Sequence, residues 1–418
     1  MSTISTASAI PQPQTRAFAI AWGCALLFYF FEYAGRSAPA VMIPELSQAF
    51  GVSALGVSSI LGTYYYTYST TSLIAGVLLD RLGAKYVVPG GMAILGLGCL
   101  LFALPHVAAG NGGRLLQGAG SAFAFTGAVY LASRGFSAQR LATAIGLTQC
   151  LGMLGGSAGQ IAVGPLIHGV MSVAGFWVLL GVLVLISGAI LLRLTPTEPR
   201  AAVAGSGVSG LLGTYKIVFS NPQSYLCGLV AGLLFVPTTI GDMVWGVRFF
   251  QEDKLFTYQS AVFAASMVPL GWVVGCPLLG WLADRLHRRK PALAGGIVVM
   301  LLCLAQLTFL PGLLPAWLTL LVLGVASGAA MIPYSIIKEV NPDRVKGSAT
   351  GGINFLTFGV TAVIGPIFAS HFGKTLGAVN ADPAEHFRHA GVFWIAIIAL
   401  ALLVSLALKE TGQGNIKR

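Results

Sequence analysis

"GVLLDRLGAK", residues 76–85, returns in altered form as "GWLADRLHRR", residues 280–289. Gly76, Leu78, Asp80, Arg81 and Leu82 match Gly280, Leu282, Asp284, Arg285 and Leu286, at an offset of 204 residues. Each copy is a short charged break between two long apolar runs, so the chain is written twice on one plan. Duplicated halves in a membrane protein point to a transporter, in which one half rocks against the other around a site near the midplane.

Composition puts the chain in a membrane. Its 418 residues are 56% hydrophobic and 9% charged, with mean hydropathy +0.82, whereas a soluble domain carries about a quarter charged residues. Apolar runs long enough to cross a hydrocarbon core of about 30 Å as helices fall near 17–43, 53–79, 86–105, 113–133, 142–166, 172–192, 222–249, 258–283, 291–311, 315–337, 347–371 and 391–408. The predicted fold is an all-α membrane protein with twelve transmembrane helices in two pseudo-symmetric six-helix halves. The halves are expected at 17–192 and 222–408, joined by a Pro-, Gly- and Ser-rich cytoplasmic linker at 193–221, with a disordered tail at 1–16 and a short tail at 409–418.

The formal charge of +11 does not gather into a nucleic-acid patch; the bases alternate from loop to loop. With the N-terminus in the cytoplasm, only Arg248, Lys254, Lys374 and Arg388 lie on the far side, and the bias predicts both termini inside. The first residues lack the basic and apolar regions of a cleaved signal. Six cysteines, Cys24, Cys99, Cys150, Cys227, Cys276 and Cys303, lie within spans at unpaired spacing, suggesting neither disulfides nor zinc. His371, His386 and His389, near Asp382 and Glu385, read as loop residues and not as a metal site. No cofactor is expected.

Charges at membrane depth mark function. In the first span, Tyr29, Glu32, Tyr33 and Arg36 fall at helical spacing on one face. The second span repeats the pattern with Tyr64, Thr67, Tyr68 and Thr71, either lining a cavity or bonding between helices. In the seventh span Thr238, Asp242 and Trp245 share a spacing, and Asp242 is expected at the depth of Arg36, where the two could face each other when the outer side closes. Gln160 and Asn354 are further candidate ligands. Arg36 keeps its charge and offers a planar fork suited to a carboxylate, although Glu32 and Arg36 could equally form a permanent internal pair. Glu32 and Asp242 are the two candidate proton carriers.

The element G-x-L-x-D-R-x-G-x-K at 76–85, partly repeated at 280–289, resembles the loop signature of the major facilitator superfamily, as does "RLLQGAG" at 114–120. That resemblance implies alternating access, a role for Arg114 in proton coupling, and a conformational latch built from Gly76, Asp80, Arg81, Gly83, Gly280, Asp284 and Arg285, with Arg134 or Arg140 as partner. His287 stands where the first copy has Gly83, which predicts a looser second turn. "GMLGGSAG" at 152–159 places Gly152 with Gly156 and Gly155 with Gly159 for close helix packing; the drug-antiporter pattern has a proline where Ser157 stands.

The late arginine of the first span resembles the anion:cation symporter branch, but Ser121 occupies the position of that branch's glutamate after Arg114, and Asp242 argues against phosphate esters. "FFEYAGRSAPAVMIPEL" with "YYYTYS" and "GSAFAF" is similar to bacterial permeases that include phagosomal amino-acid transporters. The expectation is a monomeric, bacterial inner-membrane, proton-coupled symporter for a small carboxylate-bearing solute. The alternative is a proton antiporter exporting a drug or a siderophore-like polycarboxylate. No catalytic or nucleotide-binding motif points to an enzyme.

Overall fold

The computed structural model describes residues 12–136, 138–197, 208–342, 345–376 and 382–412, excluding the side chains of 12–14, 80, 138–143 and 208–212. Among these residues all regular structure is helical, as a chain must be where lipid offers no partner to a free backbone amide. Eleven helices are long and apolar enough to cross a bilayer, and the bent pair Ile43–Phe50 with Ala54–Leu79, angled at 97°, makes a twelfth.

The first half comprises α1 (Gln12–Ser37), α2 (Ile43–Phe50), α3 (Ala54–Leu82), α4 (Ala84–Phe102), α5 (Val107–Gly135), α6 (Ala138–Ile161), α7 (Val163–Gly169) and α8 (Val173–Leu194). A connecting helix α9 (Val208–Phe219) follows. The second half comprises α10 (Pro222–Val236), α11 (Gly246–Glu252), α12 (Tyr258–Arg285), α13 (Arg289–Phe309), α14 (Ala316–Ser327), α15 (Ile332–Val340), α16 (Lys346–Phe368) and α17 (Pro383–Leu406).

Several boundaries differ from expectation, α5 for one beginning at Val107 and not near 113. Helix α1 begins at Gln12, inside the stretch read as a tail, while 1–11 lie outside the described residues. Helix α9 occupies the stretch read as linker, of which 198–207 lie outside the described residues. Helix α17 begins at Pro383 and not near 391, because Asp382 caps it: its Oδ1 accepts from the Ala384 amide at 2.9 Å, with proline in the first turn.

Close packing of α6 on α1 depends on missing side chains. A Cβ at Gly155 would collide with the Phe30 carbonyl, and one at Gly159 with that of Ala34. Between the halves, α3 lies along α16 and α6 along α12. Hydroxyls and one thiol stitch these pairs to backbone: Ser69 Oγ donates to Phe355 O at 2.7 Å, Ser157 Oγ to Ser266 O at 3.0 Å, and Cys150 Sγ to Val273 O at 3.2 Å. At one end Tyr258 donates to Val41 O at 2.8 Å, and at the other Tyr215 of α9 donates to Leu73 O at 2.6 Å. The bundle is therefore bridged at both ends.

Candidate functional site

The helical spacing of the first span delivers its polar residues to one place. Tyr29, Glu32, Tyr33 and Arg36 are all buried, with the Glu32 and Arg36 side chains fully enclosed. Arg36 pairs with Glu32 one turn away, and Tyr64 of α3 joins them: its hydroxyl bonds to Glu32 Oε1 and accepts from Arg36 Nη2 at 2.9 Å and Nε at 3.2 Å. The Arg36 guanidinium carbon also lies 4.3 Å from the Tyr33 ring centroid and 4.8 Å from that of Tyr68, near enough for cation–π attraction.

A second guanidinium shares the cluster. Arg114 of α5 lies 4.8 Å from the Tyr64 centroid, donates to Gln117 Oε1 at 2.7 Å and to Gly35 O at 3.3 Å, and is 2% exposed. Among the described residues no acid pairs with it. Two buried guanidiniums thus face one carboxylate, and Arg36 Nη1, Arg114 Nε and Glu32 Oε2 have no hydrogen-bond partner. Ser121, one more orphan hydroxyl, lies further along the same helix.

Aromatic residues that hydropathy reads as core complete the walls. Tyr29, Tyr33, Tyr68, Phe125, Phe235 and Phe358 surround a cavity of about 10 Å³, room for about one water. Asn354 borders it, its Oδ1 accepting from Tyr334 at 2.7 Å, and Tyr29 donates to Gln149 at 3.2 Å. Tyr65, absent from the predicted stripe, crosses between halves: its hydroxyl donates to Thr239 O at 3.3 Å and its ring stacks on Phe358. The predicted stripe on α3 splits. Thr67 donates to Leu115 O of α5 at 2.7 Å, a helix-to-helix bond, while Thr71 is only half-buried.

The seventh span departs furthest from its reading. Residues Pro237–Asp242 form a π-helix, whose wider turn adds a residue and breaks the spacing that was to align Thr238, Asp242 and Trp245. Thr238 accepts from Trp272 at 3.0 Å. Asp242 is 6% exposed and accepts from Gln160 of α6 at 3.2 Å. Trp245 lines a separate cleft of about 320 Å³ with Ser58, Tyr66 and Lys374. Arg36 and Asp242 do not pair: the arginine is held by Glu32 and Tyr64, and the aspartate by Gln160.

In the repeated turns, Gly83 alone separates α3 from α4, with φ 73°, whereas three residues, Leu286 to Arg288, separate α12 from α13, with His287 at φ 51°, so the second turn is the looser one. Gly76 of α3 faces the Gly347 carbonyl of α16, with 3.8 Å left for a Cβ. Gly280 faces open space. Asp284 pairs with Arg289, which also reaches Glu339 at 2.8 Å. Arg285 is not its partner and lies over the Trp281 ring at 5.2 Å. Arg81 sits half-buried in the last turn of α3, and Arg134 donates to Tyr130 at 3.2 Å. The side chains of Asp80 and Arg140 lie outside the described residues.

The model of the Major Facilitator Superfamily matches residues 25–366. The chain belongs to the major facilitator superfamily. It is a multi-pass membrane transporter of small-molecule solutes and not an enzyme. The probable galactarate/D-glucarate transporter GudP of Escherichia coli is 21% identical over 100% of this chain and 98% of its own length. The chloramphenicol resistance protein CraA of Acinetobacter baumannii is 28% identical over 75% of this chain and 71% of its own. Among solved structures, a bacterial homologue of the human lysosomal transporter Spinster, inward-facing and unoccupied, superposes with TM-score 0.72 at 14% identity, covering 93% of this chain and 97% of that one. The nucleoside transporter NupG gives TM-score 0.66 at 15% identity, over 95% and 99%.

Proposed function

We propose that this transporter takes up a small carboxylate-bearing solute, an organic anion or amino acid, together with a proton by alternating access. The observation that carries the reading is the charge imbalance: Arg36 and Arg114 are both buried, and among the described residues Glu32 is the one acid beside them. A buried cation without a counter-ion is costly, and a solute carboxylate would supply the missing charge while bonding to the free Arg36 Nη1. Tyr33, Tyr64, Tyr68 and Asn354 would orient it. The likeness to a galactarate/D-glucarate transporter, and to the D-galactonate transporter of Escherichia coli at 24% identity over 49% of this chain, accords with an acid substrate.

Proton coupling is assigned to the acids at depth. Among the described residues Asp242 meets no cation, so a proton would relieve the cost of its buried charge. Its bond to Gln160 joins the two halves, and Gln160 Oε1 is buried without a partner. A protonated Asp242 could donate to that oxygen after an amide flip, so proton binding would remake a contact between the moving halves. Glu32 is the other carrier: a solute that drew Arg36 away would leave it to take a proton. Arg114 would tune that step through Tyr64. The turns at 82–84 and 285–289, with Gly76, Asp80, Arg81, Asp284 and Arg285, would latch one access state.

The reading includes a monomer in a bacterial inner membrane with both termini in the cytoplasm, on the basic side. The likeness to CraA favours a second reading, drug export by proton antiport. Proteoliposomes loaded with a pH dye decide between them. Under the first reading, one carboxylate-bearing class, amino acids or mono- or dicarboxylates, acidifies the lumen, and sugars do not. Silence across that panel, with a response to chloramphenicol, would establish the second.

A further inference from the structure

Away from the central cluster, the interior of the second half holds a cavity of about 90 Å³. Phe249, Phe250, Phe368, Phe387 and Trp394 contribute to its wall, and Asp242 is the sole ionisable residue lining it. Asp242 Oδ2 is engaged by Gln160, whereas Oδ1 has no hydrogen-bond partner among the described residues. Thr308, the other polar residue there, already donates to Leu304 O at 2.6 Å. Neither Arg36 nor Arg114 reaches this cavity.

We propose that this cavity is a second ligand site, taking a small alkylammonium ion whose charge rests on Asp242 Oδ1 and whose alkyl groups rest on the aromatic wall. The alternatives fail on chemistry. An anion would be repelled by ionised Asp242, and an uncharged guest would leave the charge of that ionised form unbalanced. A metal ion such as Ca²⁺ wants six to eight oxygens, and this wall offers one carboxylate. A cation with an apolar skin suits both features, because aromatic faces attract cationic ligands of this kind. Since the ligand competes with the proton for Asp242, occupancy would block a proton step at that residue. The site itself does not depend on the carboxylate reading of the Arg36 cluster.

The test titrates tetramethylammonium chloride, with sodium chloride as control at equal ionic strength, into detergent-purified protein while recording tryptophan fluorescence. The expected result is a saturable change with tetramethylammonium only, lost in Trp394→Phe and Asp242→Asn and kept in Arg36→Lys. Ala390→Leu, which fills the cavity from its wall and leaves Asp242 in place, should also abolish the response while retaining solute-driven transport. No saturable response in wild type, or one that survives both Asp242→Asn and Ala390→Leu, overturns the proposal. Loss of solute transport in Arg36→Lys, with the ammonium response intact, separates this site from the central one.

Discussion

Arg36 and Arg114 pack against the same tyrosine, their guanidinium carbons 5.1 Å and 4.8 Å from the centroid of Tyr64. Two like charges converge on one ring, and Glu32 is the only carboxylate paired there among the described residues. Removing any member of this group therefore has a predictable sign.

Arg36→Lys keeps the charge and loses the fork. Solute-driven acidification in proteoliposomes should fall at least about tenfold, about 1.4 kcal/mol in transition-state terms. A variant that transported as wild type would remove Arg36 from solute recognition.

Glu32→Gln leaves both guanidiniums without a carboxylate. Breaking a buried pair costs about 3–5 kcal/mol, so the thermal midpoint in detergent should drop. Saturating carboxylate solute should restore more of it in the variant than it adds to wild type, since the solute then supplies the only counter-charge. An unchanged midpoint would mean that the cluster tolerates its excess charge.

Asp242→Asn should separate binding from coupling. Exchange of labelled solute across the membrane continues, while accumulation driven by a proton gradient falls about tenfold or more, in line with loss of a positioned proton-transfer group. Accumulation at wild-type levels would leave Glu32 as the carrier.

Gly155→Val places a branched side chain against the Phe30 carbonyl of α1. Overpacking of this kind costs about 1–3 kcal/mol, and the melting temperature measures it; Gly62, with open space around it, is the control position.

Asp253 lies in the turn after α11, where its Oδ2 sits 2.7 Å from His386 Nδ1 at the start of α17. Burial pushes its carboxyl above the ordinary value, and the hydrogen bond from His386 opposes that rise. The folded protein thus keeps a proton that the unfolded chain has released, between the ordinary and the raised values. Stability from this group is present below that window and declines as pH rises through it. The melting temperature of wild type minus that of Asp253→Asn should therefore decrease as pH climbs out of the ordinary carboxylate range; a flat difference would refute the assignment.

Much of this architecture is legible in the chain alone. Apolar runs and the repeat at 76–85 and 280–289 specify spans and halves, because lipid forces each run to satisfy its own backbone. Helical spacing likewise gathers Glu32, Tyr33 and Arg36, since α1 is regular there. Trp245 escapes because the π-helix before it shifts register; Pro237 in "VPTTIGD" signals a disturbed helix but not the width of the turn. Phe358, Tyr334 and Tyr65 escape because an aromatic residue that walls a cavity reads like one that fills a core. Gln117 lies one turn from Arg114 on α5, a pairing that helical spacing offers, whereas the Gly98 and Gly35 carbonyls that complete their bonds become visible only once α4, α5 and α1 are packed.

The bonds between the halves also bear on inheritance. Ser69, Ser157, Cys150, Tyr65, Tyr258 and, through α9, Tyr215 all end on backbone carbonyls. A carbonyl is supplied by any amino acid, so each of these links requires one conserved identity and not two. Gln160 and Asp242, joined side chain to side chain, require both. At each of these links the residue offering the carbonyl can change as long as the donor side chain opposite is kept. A lineage can therefore change what the cavity recognises without having to rebuild the contacts that join the two halves.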